Sequence, residues 1–241
     1  MIRVENLTKR YGNLAALDSV TLTMEQGKCI ALIGPNASGK TTLIKSILGL
    51  VFPNEGKILI NQVPVIGEWE YKSNIGYMPQ IGRYPENISI QQLFRMLIDL
   101  RQAEWNKCDL DLHSRFEIEK IHEKKLGTLS GGTRQKVSAC LAFLFNPAIL
   151  ILDEPTAGLD PVSTEMLKEK ILKEKANGKL ILITSHVLSD LDELVDEVVF
   201  LQEGKISFQK SISSLRQETG EEKLSRSIAK VMGYTENGET F

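Results

Sequence analysis

No run of apolar residues in the 241-residue sequence approaches the ~20 needed to cross a bilayer as a helix. The longest, around 141–152 and 180–184, are interrupted or short, and are predicted to be buried helix and strand. The opening residues Met1-Ile2-Arg3-Val4-Glu5-Asn6 lack the continuous apolar core of a signal peptide, so action on a membrane process is expected only from its surface. Cysteine is scarce: Cys29, Cys108 and Cys140 lie far apart with no C-x-x-C pair, which argues against a disulfide framework or a zinc site and fits a reducing cytosol. An excess of one charge is also missing. With 29 Lys and Arg against 31 Asp and Glu, the net charge of −2 gives no general pull toward nucleic acid, and none is expected as a partner. No internal repeat is visible. The 42% hydrophobic content is enough to bury a substantial core, as one large domain or two small lobes.

One stretch organises the rest. Gly34-Pro35-Asn36-Ala37-Ser38-Gly39-Lys40-Thr41-Thr42 fits G-x-x-x-x-G-K-[ST], follows the apolar run Cys29-Ile30-Ala31-Leu32-Ile33, and precedes Leu43, Ile44, Ile47 and Leu48 on one helical face. Strand, glycine loop and helix in that order turn successive backbone N–H groups toward phosphate oxygens, and the helix's positive end adds to the attraction. Lys40 would reach the terminal phosphates, and the Thr41 hydroxyl would ligate Mg²⁺. The alternative is a tight turn that happens to carry a lysine.

Before this loop the chain reads as β-rich: a strand over 2–7, a turn over 9–13, a strand over 20–24 and a turn at Gln26-Gly27-Lys28. Tyr11 is predicted to be a loop aromatic, able to stack on a purine or to pack on its own strand. After a helix over 41–48, Pro53-Asn54-Glu55-Gly56 makes a turn into a strand at Lys57-Ile58-Leu59-Ile60. Ile75-Gly76-Tyr77-Met78 ends at Pro79 and leaves Gln80 opening a loop. Ile90, Leu93, Phe94, Leu97, Ile98 and Leu100 then recur at helical spacing, which predicts a helical lobe over 88–126, extending with the next helix to about 144. Residues 101–115 read as an exposed helix or connection around Trp105, with His113 and His122 at the surface.

The lobe closes with Leu129-Ser130-Gly131-Gly132-Thr133-Arg134-Gln135-Lys136. Val137, Cys140, Leu141 and Leu144 share a helical face, so Ser130, Gly131 and Gly132 sit at that helix's N-terminus, either as an ordinary cap or as a second phosphate-facing helix end. The latter suggests a site completed by another subunit. Ala148-Ile149-Leu150-Ile151-Leu152 reads as a parallel strand covered on both faces, ending in Asp153-Glu154-Pro155. Asp153 is suited to Mg²⁺ and Glu154 to polarising a water, unless both are solvated turn residues. Thr156-Ala157-Gly158-Leu159-Asp160 forms a loop before a helix over 162–175, whose Lys and Glu residues read as a solvated face. A buried strand over 179–184 precedes Ser185-His186, where the histidine is either a hydrogen-bonded core residue or a donor to a γ-phosphate oxygen. An acidic amphipathic helix over 188–196, a hairpin through Glu203-Gly204, one amphipathic helix marked by Leu224, Ile228, Val231 and Met232, and a frayed tail over 236–241 complete the reading.

The ordered set Tyr11, GPNASGKTT, Gln80, LSGGT, LILILDEP, TAGLD and His186 resembles the nucleotide-binding subunits of ATP-binding cassette (ABC) transporters across 1–208, with 209–241 as a C-terminal helical extension. The resemblance implies an α/β P-loop fold: a RecA-like core with an antiparallel β subdomain and an inserted helical subdomain. It implies ATP and Mg²⁺ as cofactors, hydrolysis of ATP, a head-to-tail homodimer, a separate membrane permease, and a peripheral place on the cytoplasmic face of the inner membrane. By the same resemblance Tyr11 would stack on adenine, while Lys40, Thr41 and Thr42 would hold phosphates and metal. Gln80 would link water and metal to the permease, and Ser130, Gly131 and Gly132 would clamp the γ-phosphate in trans. Asp153 would serve the metal, Glu154 would be the general base, Asp160 would cross the dimer interface, and His186 would contact the γ-phosphate. Thr133 stands where glutamine is usual and Ala37 where glycine is usual. A Cβ at 37 argues against a strongly left-handed backbone there. The segments 129–136 and 143–162, with Glu218-Thr219-Gly220-Glu221, look most like the ATPases of nitrous-oxide reductase maturation transporters, which would imply a periplasmic accessory partner. The nearest alternative is a multidrug-like exporter ATPase.

Overall fold

The structure is a computed structural model and describes residues 1–233. The tail expected to fray, 236–241, lies outside them. The chain forms two compact units, one of Met1–Lys72 with the residues from Leu182 onward, the other of Ser73–Ile181.

The first unit opens with β1 (Ile2–Tyr11) and β2 (Leu14–Met24), an antiparallel pair in which Ile2, Val4 and Leu7 are buried while Arg3 faces out. These strands run further than the sequence suggests. Lys9↔Leu17, Arg10↔Ala15 and Tyr11↔Leu14 continue the ladder, because register shifts after Val4 and Leu7 absorb the break in alternation and confine the turn to Gly12 and Asn13. β3 (Cys29–Ile33), buried at every residue, feeds α1 (Lys40–Ile47). β4 (Glu55–Ile60) lies on β1 and β5 (Val63–Pro64) on β4, giving the order β2-β1-β4-β5. Glu55 and Gly56, expected in a turn, belong to β4. A Cβ on Gly56 would stand 2.4 Å from the carbonyls of Glu5 and Asn6, so only glycine passes that irregularity.

In the second unit β6 (Ile75–Met78) leads through a loop to α2 (Ile90–Leu100), whose Ser89 and Gln92 form a reciprocal capping box. Ile90, Leu93, Phe94 and Ile98 form its buried face, as their spacing predicts. Then come α3 (Asp111–Arg115), α4 (Gly131–Phe143), β7 (Ile149–Asp153) and α5 (Pro161–Ala176). β6 and β7 pair in parallel, Ile75↔Ile149 through Met78↔Leu152. α4 packs so closely on β6 that a Cβ at Gly76 would be 2.0 Å from the Ala142 carbonyl.

Two expectations fail in this unit. His113 is 1% exposed, not at the surface, with its Nε2 2.6 Å from His122 Nε2 and its ring edge-on to Phe94 and Trp105. On α5, Lys170 and Glu174 are buried at 2% exposure each rather than solvated. Lys170 Nζ meets Asp109 at 2.6 Å and Glu174 at 2.9 Å, and Lys179 closes the network on Glu174 and Asn146. Burial opposes the Lys170 charge, but the carboxylates outweigh it and raise the ammonium pKa; burial likewise opposes the Glu174 charge, and Lys179 and Lys170 hold its carboxyl below the ordinary value.

β8 (Leu180–Thr184), buried throughout, carries the chain back to the first unit. The acidic helix expected over 188–196 is only a short 3₁₀ turn, Leu188–Asp190. Asp196 is pinned instead to Cys29, its N–H donating to the Cys29 carbonyl and its carboxylate accepting from the Cys29 N–H, both at 2.8 Å. β9 (Glu197–Gln202) runs parallel to β3, and β10 (Lys205–Ser211) antiparallel to β9. Two helices follow where one was expected, α6 (Ile212–Thr219) and α7 (Leu224–Val231), because Gly220 ends the first in a left-handed cap at φ +71°. Among the described residues no helix is long and apolar enough to cross a membrane.

Candidate functional site

In the first unit the loop from β3 to α1 is shaped by close approaches. A Cβ on Gly34 would lie 1.9 Å from the Leu201 carbonyl oxygen, and one on Gly39 2.3 Å from that of Ala16. Neither position tolerates a side chain. Ala37 adopts φ +62°, which corrects the expectation drawn from its Cβ. The left-handed region costs a non-glycine residue about 1–2 kcal/mol. Surrounding bonds hold the loop in place against that cost: Ser38 N–H to Pro35 O at 3.3 Å, Gly204 N–H to Ser38 O at 3.0 Å, and Lys40 Nζ to the carbonyls of Gly34 and Pro35 at 2.7 and 2.9 Å.

The arrangement fits a bound polyphosphate. Pro35, Asn36, Ala37 and Thr41 are exposed, α1 has no acidic residue in its first turn, and its Gly39 cap offers no side chain to the first N–H groups. Ser38 Oγ is buried without a hydrogen-bond partner in the described structure. Tyr11 is the last residue of β1 rather than a loop residue, 48% exposed, with Lys9 Nζ 5.2 Å from its ring centroid. His186 follows β8 and is exposed, in a turn where Ser185 Oγ accepts from Val187 N–H at 2.9 Å.

In the second unit, Gln80 and the pair Asp153 and Glu154 stand at the same, carboxyl ends of the parallel strands β6 and β7, where α/β proteins place their ligands. Asp153 is 8% exposed. Tyr77 is pushed up to about 12, by burial first and then by the Asp153 charge. Glu154 is half-buried at φ +51°. No group of three or more His, Cys, Asp or Glu that could cage a metal occurs among the described residues. Mg²⁺ needs no such cage, since it takes one or two protein oxygens with phosphates and water.

Ser130 caps α4, accepting from Thr133 N–H at 3.2 Å, and its Oγ lies 2.8 Å from Thr133 Oγ1. Ser130 and Gly131 are exposed, while a Cβ on Gly132 would meet the Gly158 carbonyl at 2.7 Å. Asp160 caps α5 through Ser163 N–H (2.9 Å) and Ser163 Oγ (2.7 Å) and pairs with Lys136 at 2.8 Å. The Lys136 ammonium, ahead of the two Ser163 donors, holds the Asp160 carboxyl far below the usual range. Ser130, Gly132 and Asp160 are thus tied to one another through α4 and the loop it touches.

A family profile described as ABC transporter matches residues 17–157. The chain belongs to the ABC transporter ATPases. A Bacillus subtilis protein described as an uncharacterized ABC transporter ATP-binding protein, YhaQ, is 33% identical to this ABC ATPase over 228 residues, 93% of this chain and 76% of its own. The lantibiotic transport ATP-binding protein SrtF of Streptococcus pyogenes is 32% identical over 87% of this chain and 90% of its own. A solved ATP-binding subunit of an ABC transporter superposes with a TM-score of 0.89 at 28% identity, covering 96% of this chain and 99% of that one. The mixed α/β architecture is that of the ABC ATPase fold.

Two residues of this ABC ATPase escaped the sequence reading. Gln135 donates from Nε2 to the Glu154 carbonyl at 3.2 Å, and Lys136 binds Asp160. Both lie within three residues of the Ser130-Gly131-Gly132-Thr133 segment, on the helix that it starts. Their partners, some 20 residues away, carry no local signal.

Proposed function

We propose that the chain is the ATP-hydrolysing subunit of an exporter-type ABC transporter, attached to the cytoplasmic face of the membrane through a separate permease and closing as a head-to-tail pair of copies around two Mg·ATP. The observation that carries this is the start of α4. Ser130 and Gly131 face solvent at the N-terminus of a 13-residue helix with no acidic residue in its first turn, an anion-binding end turned outward. The γ-phosphate of ATP held by the phosphate loop of a second copy supplies the anion.

In this reading Tyr11 stacks on adenine and Lys40, Thr41 and Thr42 bind phosphates. Thr41, Gln80 and Asp153 would be the residues to hold Mg²⁺, which would supply charge neutralisation to the phosphates. Glu154 takes the proton of the attacking water, and His186 donates to a γ-phosphate oxygen. Asp160, half exposed while paired with Lys136, faces the interface. A cavity of about 400 Å³ beside Pro79, lined by Tyr77, Arg83, Tyr84, Leu100 and Phe145, supports a permease contact at Gln80.

Export is supported by relatives described as lantibiotic transport and, for Burkholderia lata (30% identical over 85% of this chain and 68% of its own), Nod factor export ATP-binding proteins. None of these names a copper enzyme. Of the residues behind the narrower nitrous-oxide reductase resemblance, Glu218 pairs with Lys210 and Glu221 N–H bonds Thr219 Oγ1, local structural roles that lend it no support. The periplasmic accessory partner goes with that resemblance.

Steady-state hydrolysis tests the assignment. Glu154→Gln is expected to lower kcat by roughly 100-fold or more and to accumulate an ATP-bound dimer on size exclusion. Turnover at the wild-type rate would remove Glu154 from the mechanism. Co-purification of a polytopic partner from membranes tests the permease.

A further inference from the structure

α4 carries more than the exposed serine and glycines at its start. Gln135, 5% exposed, directs Nε2 to the Glu154 carbonyl at 3.2 Å, with the Pro155 carbonyl beyond it at 3.5 Å. The Glu154 carbonyl also accepts from Ala157 N–H at 3.1 Å, so both of its lone pairs are engaged. This carbonyl is the only hydrogen-bonding handle on the Glu154–Pro155 peptide, because proline has no N–H. Glu154 meanwhile sits at φ +51°, a conformation few residues other than glycine hold without support around them. The neighbouring Lys136 grips Asp160, and Gly132 abuts Gly158 between the two. One helix therefore holds the loop 154–160 at both ends and in the middle.

We propose that Gln135 is a positioning residue for Glu154: its amide fixes the peptide plane that follows Glu154, and with it the direction of the carboxylate, and so links that direction to the helix bearing Ser130. This rests on Glu154 acting as the general base. A movement of α4 at its Ser130 end is passed through Gln135 to the group that receives the water's proton. Engagement of the exposed helix end and alignment of the base become one event. Gln135 needs no contact with nucleotide for this, so losing its donor lowers turnover and spares affinity.

The test is steady-state ATP hydrolysis and MgATP-driven dimerisation of the full chain carrying Gln135→Met or Gln135→Leu, both without a donor, beside Glu154→Gln. The expected result is a kcat lowered on the order of 10- to 100-fold, as for other misplaced catalytic groups, with KM for ATP and dimer formation as in wild type. A wild-type kcat in a folded variant overturns the proposal. So does a raised KM together with lost dimer formation, which makes Gln135 part of the binding surface, and so does loss of the cooperative melt in both variants, which makes it a residue of the core. An active Glu154→Gln removes the base assignment itself; an inactive Glu154→Gln beside unaffected Gln135 variants keeps the base and removes only the positioning role.

Discussion

His113 and His122 meet at their Nε2 atoms, 2.6 Å apart, inside a cage formed by Phe94 and Trp105. One ring must donate and the other accept, and a second proton would set two N–H groups head to head. Among the described residues His113 Nδ1 has no hydrogen-bond partner, and the Glu119 carboxylate stands 3.9 Å away.

Burial, then His122, lowers the His113 pKa below its ordinary 6.5, with Glu119 only partly opposing. The folded chain thus keeps this imidazole neutral where the unfolded chain protonates it. Stability is full above pH 6.5 and falls as the pH drops below it, at no more than about 1.4 kcal/mol per pH unit for one proton. Urea melts at pH 7.5 and 5.5 should show that loss in wild type and a smaller one in His113→Phe. Equal losses in both would exclude His113 as the source.

Lys170→Met should destabilise the protein by about 3–5 kcal/mol, because it leaves Asp109 without its cation and the buried carboxylate of Glu174 with Lys179 alone. Lys173→Met, three residues on and 64% exposed, should change stability by less than about 0.5 kcal/mol. Thermal melts of the two variants compare a buried cation with an exposed one on the same helix.

Ala37→Gly sets two effects against each other. It relieves about 1–2 kcal/mol of left-handed strain and gives back about 0.4–1 kcal/mol in entropy of the unfolded chain. The expected outcome is a stability raised by up to about 1 kcal/mol with KM for ATP unchanged, read by denaturant titration and hydrolysis. A destabilised variant would mean that the loop is not strained at this residue.

Gly34→Ala should abolish nucleotide binding while leaving α2 and the second unit folded. Its Cβ would meet the main-chain Leu201 oxygen at 1.9 Å, which no side-chain rotation relieves. Fluorescent ATP-analogue titration measures the first effect and circular dichroism the second.

The parts of the fold legible beforehand are those whose cause is local. The glycines around Lys40, the cap at Ser130 and the apolar run into Asp153 each specify a turn or a helix start from adjacent residues. The remainder depends on partners distant in sequence. Lys170 resembles any helix-surface lysine until Asp109 is brought to it, and His113 any polar residue until His122 meets it. Leu191, Leu194 and Val195 do suggest a helical face, but the bonds between Asp196 and Cys29, and Asp192 accepting the Leu224 N–H at 2.9 Å, bind that segment to other elements. Tertiary contacts override the local pattern there. The register shifts between β1 and β2 hid the length of the first hairpin because alternation breaks where they occur.

The bond from Gly204 N–H to the Ser38 carbonyl also bears on when the phosphate loop acquires its shape. Gly204 turns the hairpin between β9 and β10, and its own carbonyl accepts from Asp18 N–H at 2.9 Å, so this one residue joins the opening strands to the loop. During synthesis, residues 34–42 emerge long before Gly204 and Leu201, and contacts so distant in sequence form slowly. The motif that is easiest to read in the sequence therefore takes this shape only once the chain has reached Gly204, and an N-terminal fragment that contains it complete would still lack the backbone that shapes it.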